Sequence, residues 1–151
     1  MTLEELRADF AAQGQPAFHA LQVYRWLHRG VRSFSEMSDQ SKAFRQKLSE
    51  RYYIAAAEIE QRLVSKLDGT RKYLFSLTDG NIIEGVLMKY NYGNTLCVSS
   101  QVGCRMGCAF CASTLDGLVR NLAPGEMYGQ ITSVNNELRS EGERLISHVV
   151  V

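Results

Sequence analysis

Three cysteines fall within eight residues, C-R-M-G-C-A-F-C over 104 to 111, and a fourth, Cys97, lies seven positions before the first. Thiolates are nucleophiles and soft metal ligands, so this is where chemistry is to be sought. Core packing explains the stretch poorly. A free cysteine is often buried as a small hydrophobe, but three so close together, beside Gly103 and Gly107, make a poor core. A zinc site usually takes two-residue-spaced pairs and a fourth ligand. Only Cys108 and Cys111 have that spacing, and Cys97 or His148 would have to complete the set. Zinc ranks second. The order C-x3-C-x2-C suits a cubane [4Fe-4S] cluster better, because three thiolates hold three irons and leave the fourth open. Reactive metals keep such an open position, while structural ones are closed. Gly103 and Gly107 would let the backbone wrap closely round the group.

Elements on both sides must position these thiols. The first fifty residues read as helices. Thr2 and Glu5 form a capping box, and Leu3, Leu6 and Phe10 then fall on one face. After Gly14 and Pro16 a second helix is predicted to turn Phe18, Leu21, Tyr24 or Val23, and Leu27 inward, ending near Gly30. A third runs from about Ser41 to Arg51 with Phe44 and Leu48 inward, and Tyr24 and Trp26 read as core. From Glu58 the period becomes two. Ile59, Gln61 and Leu63, then Tyr73, Phe75 and Leu77, flank an Asp68-Gly69 turn. A second turn at Asp79-Gly80 leads into residues 82–87, and a loop over 90–94 leads into Thr95–Val98. The pattern is a meander of four strands. Past the cysteines, Pro124 and Glu126 open a helix with Met127, Ile131, Val134 and Leu138 on its apolar face and Gly142 at its stop. Residues 145–151 read as a buried strand. Strand, chemical loop, helix and strand in that order make a βαβ unit. One such unit cannot close a barrel, so the sequence is expected to be the N-terminal part of a longer protein.

Composition narrows the class without deciding it. The chain has 151 residues, 45% hydrophobic and 22% charged, as in an ordinary globular protein. A net charge of +1 argues neither for nor against a polyanionic partner, and Arg25, Arg29 and Arg32 read as a solvated face. The N-terminus shows no secretory signal, and no apolar run approaches the ~20 residues of a membrane span. A cytoplasmic location is the expectation. Cysteines there stay reduced, and are metal-binding or catalytic more often than disulfide-bonded.

With Phe110 just before the last cysteine, and with a strand before and a helix after, C-x3-C-x2-C resembles the signature of the radical S-adenosylmethionine superfamily. A narrower likeness surrounds it. T-L-C-V-S-S-Q-V-G-C-R-M-G-C-A-F-C-A-S-T over 95 to 114 and R-N-L-A-P-G-E-M over 120 to 127 resemble the RlmN-type RNA adenine-C2 methyltransferases. So do Q-V-Y-R-W-L-H-R-G-V and S-F-S-E-M-S in the helical opening, so the likeness covers nearly all of the chain.

The resemblance implies an α/β fold in three parts: a helical accessory, RNA-binding domain over 1–52, an antiparallel segment over 53–94, and the first part of a radical-SAM (β/α) barrel over 95–151. It implies that Cys104, Cys108 and Cys111 ligate the cluster, that Phe110 contacts the cofactor, and that S-adenosylmethionine binds the open iron. In that family an electron from the cluster generates a 5′-deoxyadenosyl radical. A methylated cysteine then delivers its carbon to C2 of adenine, which is not nucleophilic, and a protein–RNA crosslink forms. Cys97 matches the second cysteine, which resolves that crosslink, and Glu84 matches the proton acceptor. From the residues alone, Cys97 also reads as a thiol buried in a strand, and a lone Glu such as Glu84 among apolar strand residues is more often on the solvent face. The implied partners are large-subunit rRNA, tRNA modified next to the anticodon, and an electron donor such as flavodoxin, acting on a monomer with no membrane contact. The family's Gly-Glu-Pro-type cofactor segment and its methyl-carrying cysteine are expected beyond Val151, so the isolated chain is expected to be inactive. A sibling class that methylates C8 of adenine shares the cluster motif and the upstream cysteine. A zinc-stabilised RNA-binding module is the non-enzymatic rival.

Overall fold

The computed structural model describes residues 1–151, which form two compact units, Met1–Ile54 and Ala55–Val151.

The first unit contains helices α1 (Leu3–Ala12), α2 (Ala17–His28) and α3 (Lys42–Arg51), with a 3-10 turn at Phe34–Glu36. Thr2 and Glu5 close the expected capping box: the Glu5 amide donates to Thr2 Oγ1 at 3.2 Å, and the Thr2 amide donates to the Glu5 carboxylate at 2.7 Å. Leu6 and Phe10 of α1, Phe44 and Leu48 of α3, and Phe34 and Met37 between them form one core. Phe10 meets Phe44 edge-on, with ring centroids 5.6 Å apart. The inward face of α2 differs from the expected one. Ala20 and Val23 are buried there and Leu27 packs against them, while Phe18 stays largely exposed. Phe18 lies in the first turn of α2, off the Ala20–Val23–Leu27 stripe, and its ring covers His19 instead.

The second unit is built on a five-stranded sheet in the order β1-β2-β3-β4-β7. Strands β1 (Glu58–Val64), β2 (Arg71–Ser76), β3 (Ile82–Tyr90) and β4 (Gly93–Cys97) are the antiparallel meander. A hairpin follows, β5 (Gln101–Gly103) with β6 (Leu118–Asn121). Helix α4 (Pro124–Ser140) then crosses to β7 (Ile146–Val150), which pairs parallel to β4. Pro124 at the first helical position and the Glu126 carboxylate on the Ala123 amide, at 2.8 Å, start α4 as the sequence indicates. Val134 and Leu138 are fully buried against Tyr73, Phe75, Leu87 and Leu96, and Met127 and Ile131 pack at the margin.

Two strands are less buried than expected. A bulge between Ile59 and Gln61 shifts the register of β1, so Ile59 reaches the core while Leu63 stays half exposed. β7 was expected to be buried, but it has β4 on one side only, and only its Ile146 packs on the core. An apolar run reports affinity for burial, not whether a neighbour is there to provide it.

α4 is also fastened by charge. Arg71 of β2 donates to Glu137 at 3.0 Å, Glu141 at 2.7 Å and Glu143 at 2.5 Å, and its side chain is only 7% exposed. Tyr73 donates its hydroxyl to Glu137 at 2.7 Å, and burial together with that carboxylate pushes the phenol up. Arg62, then Arg71, hold the Glu141 carboxyl below the usual range, and Lys89 with Arg71 does the same for Glu143.

Candidate metal centre and adjoining cavity

β4 ends at Cys97 and runs directly into the cysteine hairpin. Leu87 of β3 and Leu96 of β4 are paired and face the core under α4. Side chains alternate along a strand, so Val86 and its partner Cys97 lie on the opposite, open face. Glu84 shares that face two positions along β3, a diagonal neighbour of Cys97 at the roughly 7–8 Å such pairs span. Cys97 is half buried between β3 and β7. Glu84 is exposed, and its carboxylate pairs with Lys72 at 2.6 Å.

The loop between β5 and β6 carries the other thiols. Its ends are pinned where the Cys104 amide donates to the Gly117 carbonyl at 3.1 Å. Gly103 is obligatory at that crossing. Its φ is +73°, and a Cβ there would stand 1.9 Å from the Gly117 carbonyl oxygen. Gly107, at φ +63°, faces open space, so the turn needs its conformation and not its small size. Within the loop the Cys111 amide donates to the Cys108 carbonyl at 3.1 Å, and Thr114 Oγ1 donates to the Cys111 carbonyl at 2.9 Å. All four cysteines are free thiols of intermediate exposure. Phe110 is 94% exposed beside Cys111.

A cavity of about 470 Å³ lies against this loop. One wall is Asn81 to Glu84 of the sheet, and the other is Ala112, Ser113, Asp116, Gly117 and Val119, with Ser99 to Cys104 between them. The structure thus brings Glu84 and Cys104 to one cavity. Cys97 is not in its lining, although Ser99, two residues on, is.

Three thiols on one glycine-hinged loop, all partly open to solvent, are of the right chemical kind for an iron–sulfur cluster. The side chains are not gathered in advance: no three His, Cys, Asp or Glu side chains stand together as a metal-binding group. The residues fit in kind and spacing, and binding would have to draw the thiols together. His148, considered for a fourth zinc ligand, packs instead against Tyr92 and hydrogen-bonds Ser147 at 2.9 Å.

Several residues that hold this loop escaped the sequence reading. Gln130 of α4 is fully buried and grips Ser99 with both ends of its amide, accepting from the Ser99 amide at 3.0 Å and donating to its carbonyl at 2.9 Å. Arg120 of β6 forms a two-pronged pair with Glu126, both bonds 2.8 Å, and reaches Asp79 through Nε at 2.8 Å. Arg120 holds the Glu126 carboxyl low, and Asn81, then Arg120, bring the Asp79 carboxyl down to about 2. The available signal was the polar Glu126 and Gln130 interrupting the inward stripe of α4.

The fold answers the question of class. A solved radical SAM methyltransferase from Sphaerobacter thermophilus superposes with a TM-score of 0.89 at 37% identity, covering 100% of this chain and 44% of that one. The β4–loop–α4–β7 arrangement with its cysteine hairpin is therefore folded like the corresponding part of that radical SAM methyltransferase. The sequence is more specific. Residues 1–54 match the family model described as the ribosomal RNA large subunit methyltransferase N-terminal domain. A probable dual-specificity RNA methyltransferase RlmN from Alkaliphilus oremlandii is 51% identical over 151 residues, which are 100% of this chain and 43% of that protein. Its namesake from Lachnoclostridium phytofermentans is 51% identical over 152 residues, 100% of this chain and 42% of that protein. The chain is similar to these RlmN proteins from its first residue to its last, and it spans less than half of their length. No helix is long and apolar enough to cross a membrane.

Proposed function

We propose that this chain carries the cluster-binding loop and an RNA-holding helical domain of a radical-SAM methyltransferase that modifies C2 of adenine, in large-subunit rRNA and in tRNA next to the anticodon. The observation that carries this reading is the C-x3-C-x2-C hairpin, hinged at Gly103 and set between β4 and α4 in a chain similar throughout to RlmN proteins. Cys104, Cys108 and Cys111 would hold a [4Fe-4S] cluster and leave one iron free for S-adenosylmethionine. The chemistry such a group supplies when bound is one-electron reduction of that cofactor.

The chain's own residues take the remaining roles. Phe110, projecting from the loop, offers its ring to the cofactor. Glu84 places a carboxylate at the cavity wall, where it can accept a proton from the substrate base. Cys97, on the same sheet face, is the thiol that resolves the covalent link formed when a methyl-cysteine delivers its carbon to RNA. Residues 1–52 hold folded RNA. A groove there of about 340 Å³ is lined by Ser33, Ser35, Ser49, Gln46, Lys42 and Arg45, with Phe34 as its one apolar member. No carboxylate lines it, which suits a phosphate. An electron donor such as flavodoxin, a monomeric state and a cytoplasmic location complete the reading, in keeping with RNA substrates.

Anaerobic reconstitution tests the centre. Cys104→Ala, Cys108→Ala and Cys111→Ala should each abolish iron and sulfide uptake and the broad visible absorption, while Cys97→Ala leaves both nearly unchanged. Stoichiometric zinc that is lost equally from all four variants would replace this reading with a zinc-stabilised module.

A further inference from the structure

The cysteine hairpin is anchored by side chains whose hydrogen bonds go to groups other than the thiols. Its entrance is fixed by Gln130 on Ser99, and its exit by Arg120 on Glu126. Both anchors stand on α4, one turn apart, so a single rigid helix sets the separation of the two ends of the loop. A backbone bond from the Leu122 amide to the Ser100 carbonyl, at 2.9 Å, ties those ends to each other. Arg120 then makes a third attachment. It reaches Asp79 in the turn between β2 and β3, next to Asn81, while its neighbour Val119 lines the opposite wall of the 470 Å³ cavity. One guanidinium thus fastens helix, hairpin and sheet turn together at the edge of the cavity.

We propose that Arg120 is a positioning residue for the metal centre. Through Glu126 and Asp79 it fixes the β6 end of the cysteine loop, so that retention of the cluster by Cys104, Cys108 and Cys111 depends on it without contact. This rests on the cluster reading above. The thiols are not gathered in advance, so the loop must hold a shape that the cluster can complete. A guanidinium suits the task, because its planar fork meets the Glu126 carboxylate at two points and still has Nε for Asp79. Lysine has one ammonium and cannot reproduce all three bonds. Residues behind a ligand shell commonly change metal affinity by roughly 10–100-fold when altered.

The test compares the wild-type chain with Arg120→Gln, Arg120→Lys and Asp79→Asn, each reconstituted anaerobically. The readouts are iron per chain, the rate of iron loss to a chelator, and the thermal midpoint of the metal-free protein. Arg120→Gln should lose iron roughly tenfold faster than wild type, with Arg120→Lys between the two. Asp79→Asn, an exposed change that spares the Glu126 pair, should speed iron loss by a smaller factor and lower the midpoint less than Arg120→Gln does, which keeps the idea testable if Arg120→Gln fails to fold. Folded variants that load and retain iron as wild type does would overturn the positioning role. A wild-type chain that takes up no iron would instead overturn the cluster reading on which it rests.

Discussion

Gly103 shows how much one missing methyl group can decide. Its φ of +73° is unfavourable for any side chain, and the Gly117 carbonyl oxygen fills the place a Cβ would take. Gly107 carries only the conformational half of that constraint. The two therefore separate strain from clash. Gly107→Ala should cost about 1–2 kcal/mol, the left-handed backbone penalty alone. Gly103→Ala should cost about 3 kcal/mol or more, because the β5–β6 crossing must open as well. Urea unfolding of both variants checks this, and equal costs would show that the crossing relaxes freely. Both glycines were legible in the sequence as hinges beside the thiols. Their different reasons were not, because a close approach between residues 103 and 117 has no local signature. Gln130 was hidden for the same cause: its partner Ser99 lies 31 positions away, and an amide within a helix reads by default as solvent-facing.

At the scale of elements, α4 is the part that reads best, and it is held by both packing and charge. Its start, apolar face and stop follow from Pro124, the Met127–Leu138 stripe and Gly142, since a 3.6-residue period over seventeen residues is a strong pattern. β5 and β6, of three and four residues, are too short to show any period, and the sequence could offer them only as loop. What fastens α4 to β2 is titratable. Glu141 and Glu143 are held below their ordinary range by cations, so their contribution is complete above the unfolded value near 4.5 and is lost as pH falls through their lower folded values. Stability of the sheet unit should be flat from neutral pH to about 5 and decline below that. Arg71→Leu should remove part of that acid dependence while lowering stability at neutral pH, because Arg62 and Lys89 still pair Glu141 and Glu143 but the buried cation that joins Glu137, Glu141 and Glu143 is gone. Urea midpoints measured across pH for both proteins decide it. An unchanged slope in Arg71→Leu would place the acid sensitivity elsewhere.

At the scale of the whole molecule, two units with separate cores present different chemistry: one a groove of cations and hydroxyls, the other thiols and a cavity. If the groove of the helical unit takes an RNA phosphate, Lys42→Gln should weaken binding of a labelled tRNA. It should also flatten the dependence of log K on log salt by about 0.7–0.9, the release of one phosphate's counterions. Lys42 is exposed in the first turn of α3, so the change should leave the fold intact. An unchanged salt slope would remove the groove from the binding surface. The parallel pairing of β7 with β4 carries a consequence of another kind, in time. The meander closes through short turns, whereas β4 meets β7 only after the chain has passed through the cysteine hairpin and α4. Pairings between segments far apart in sequence form late, and the Gln130–Ser99 and Arg120–Asp79 anchors belong to the same late set. The loop that carries the thiols is framed only as folding finishes. A metal group held by them would then be captured after folding, the reverse of a zinc finger, whose metal is the condition for folding at all.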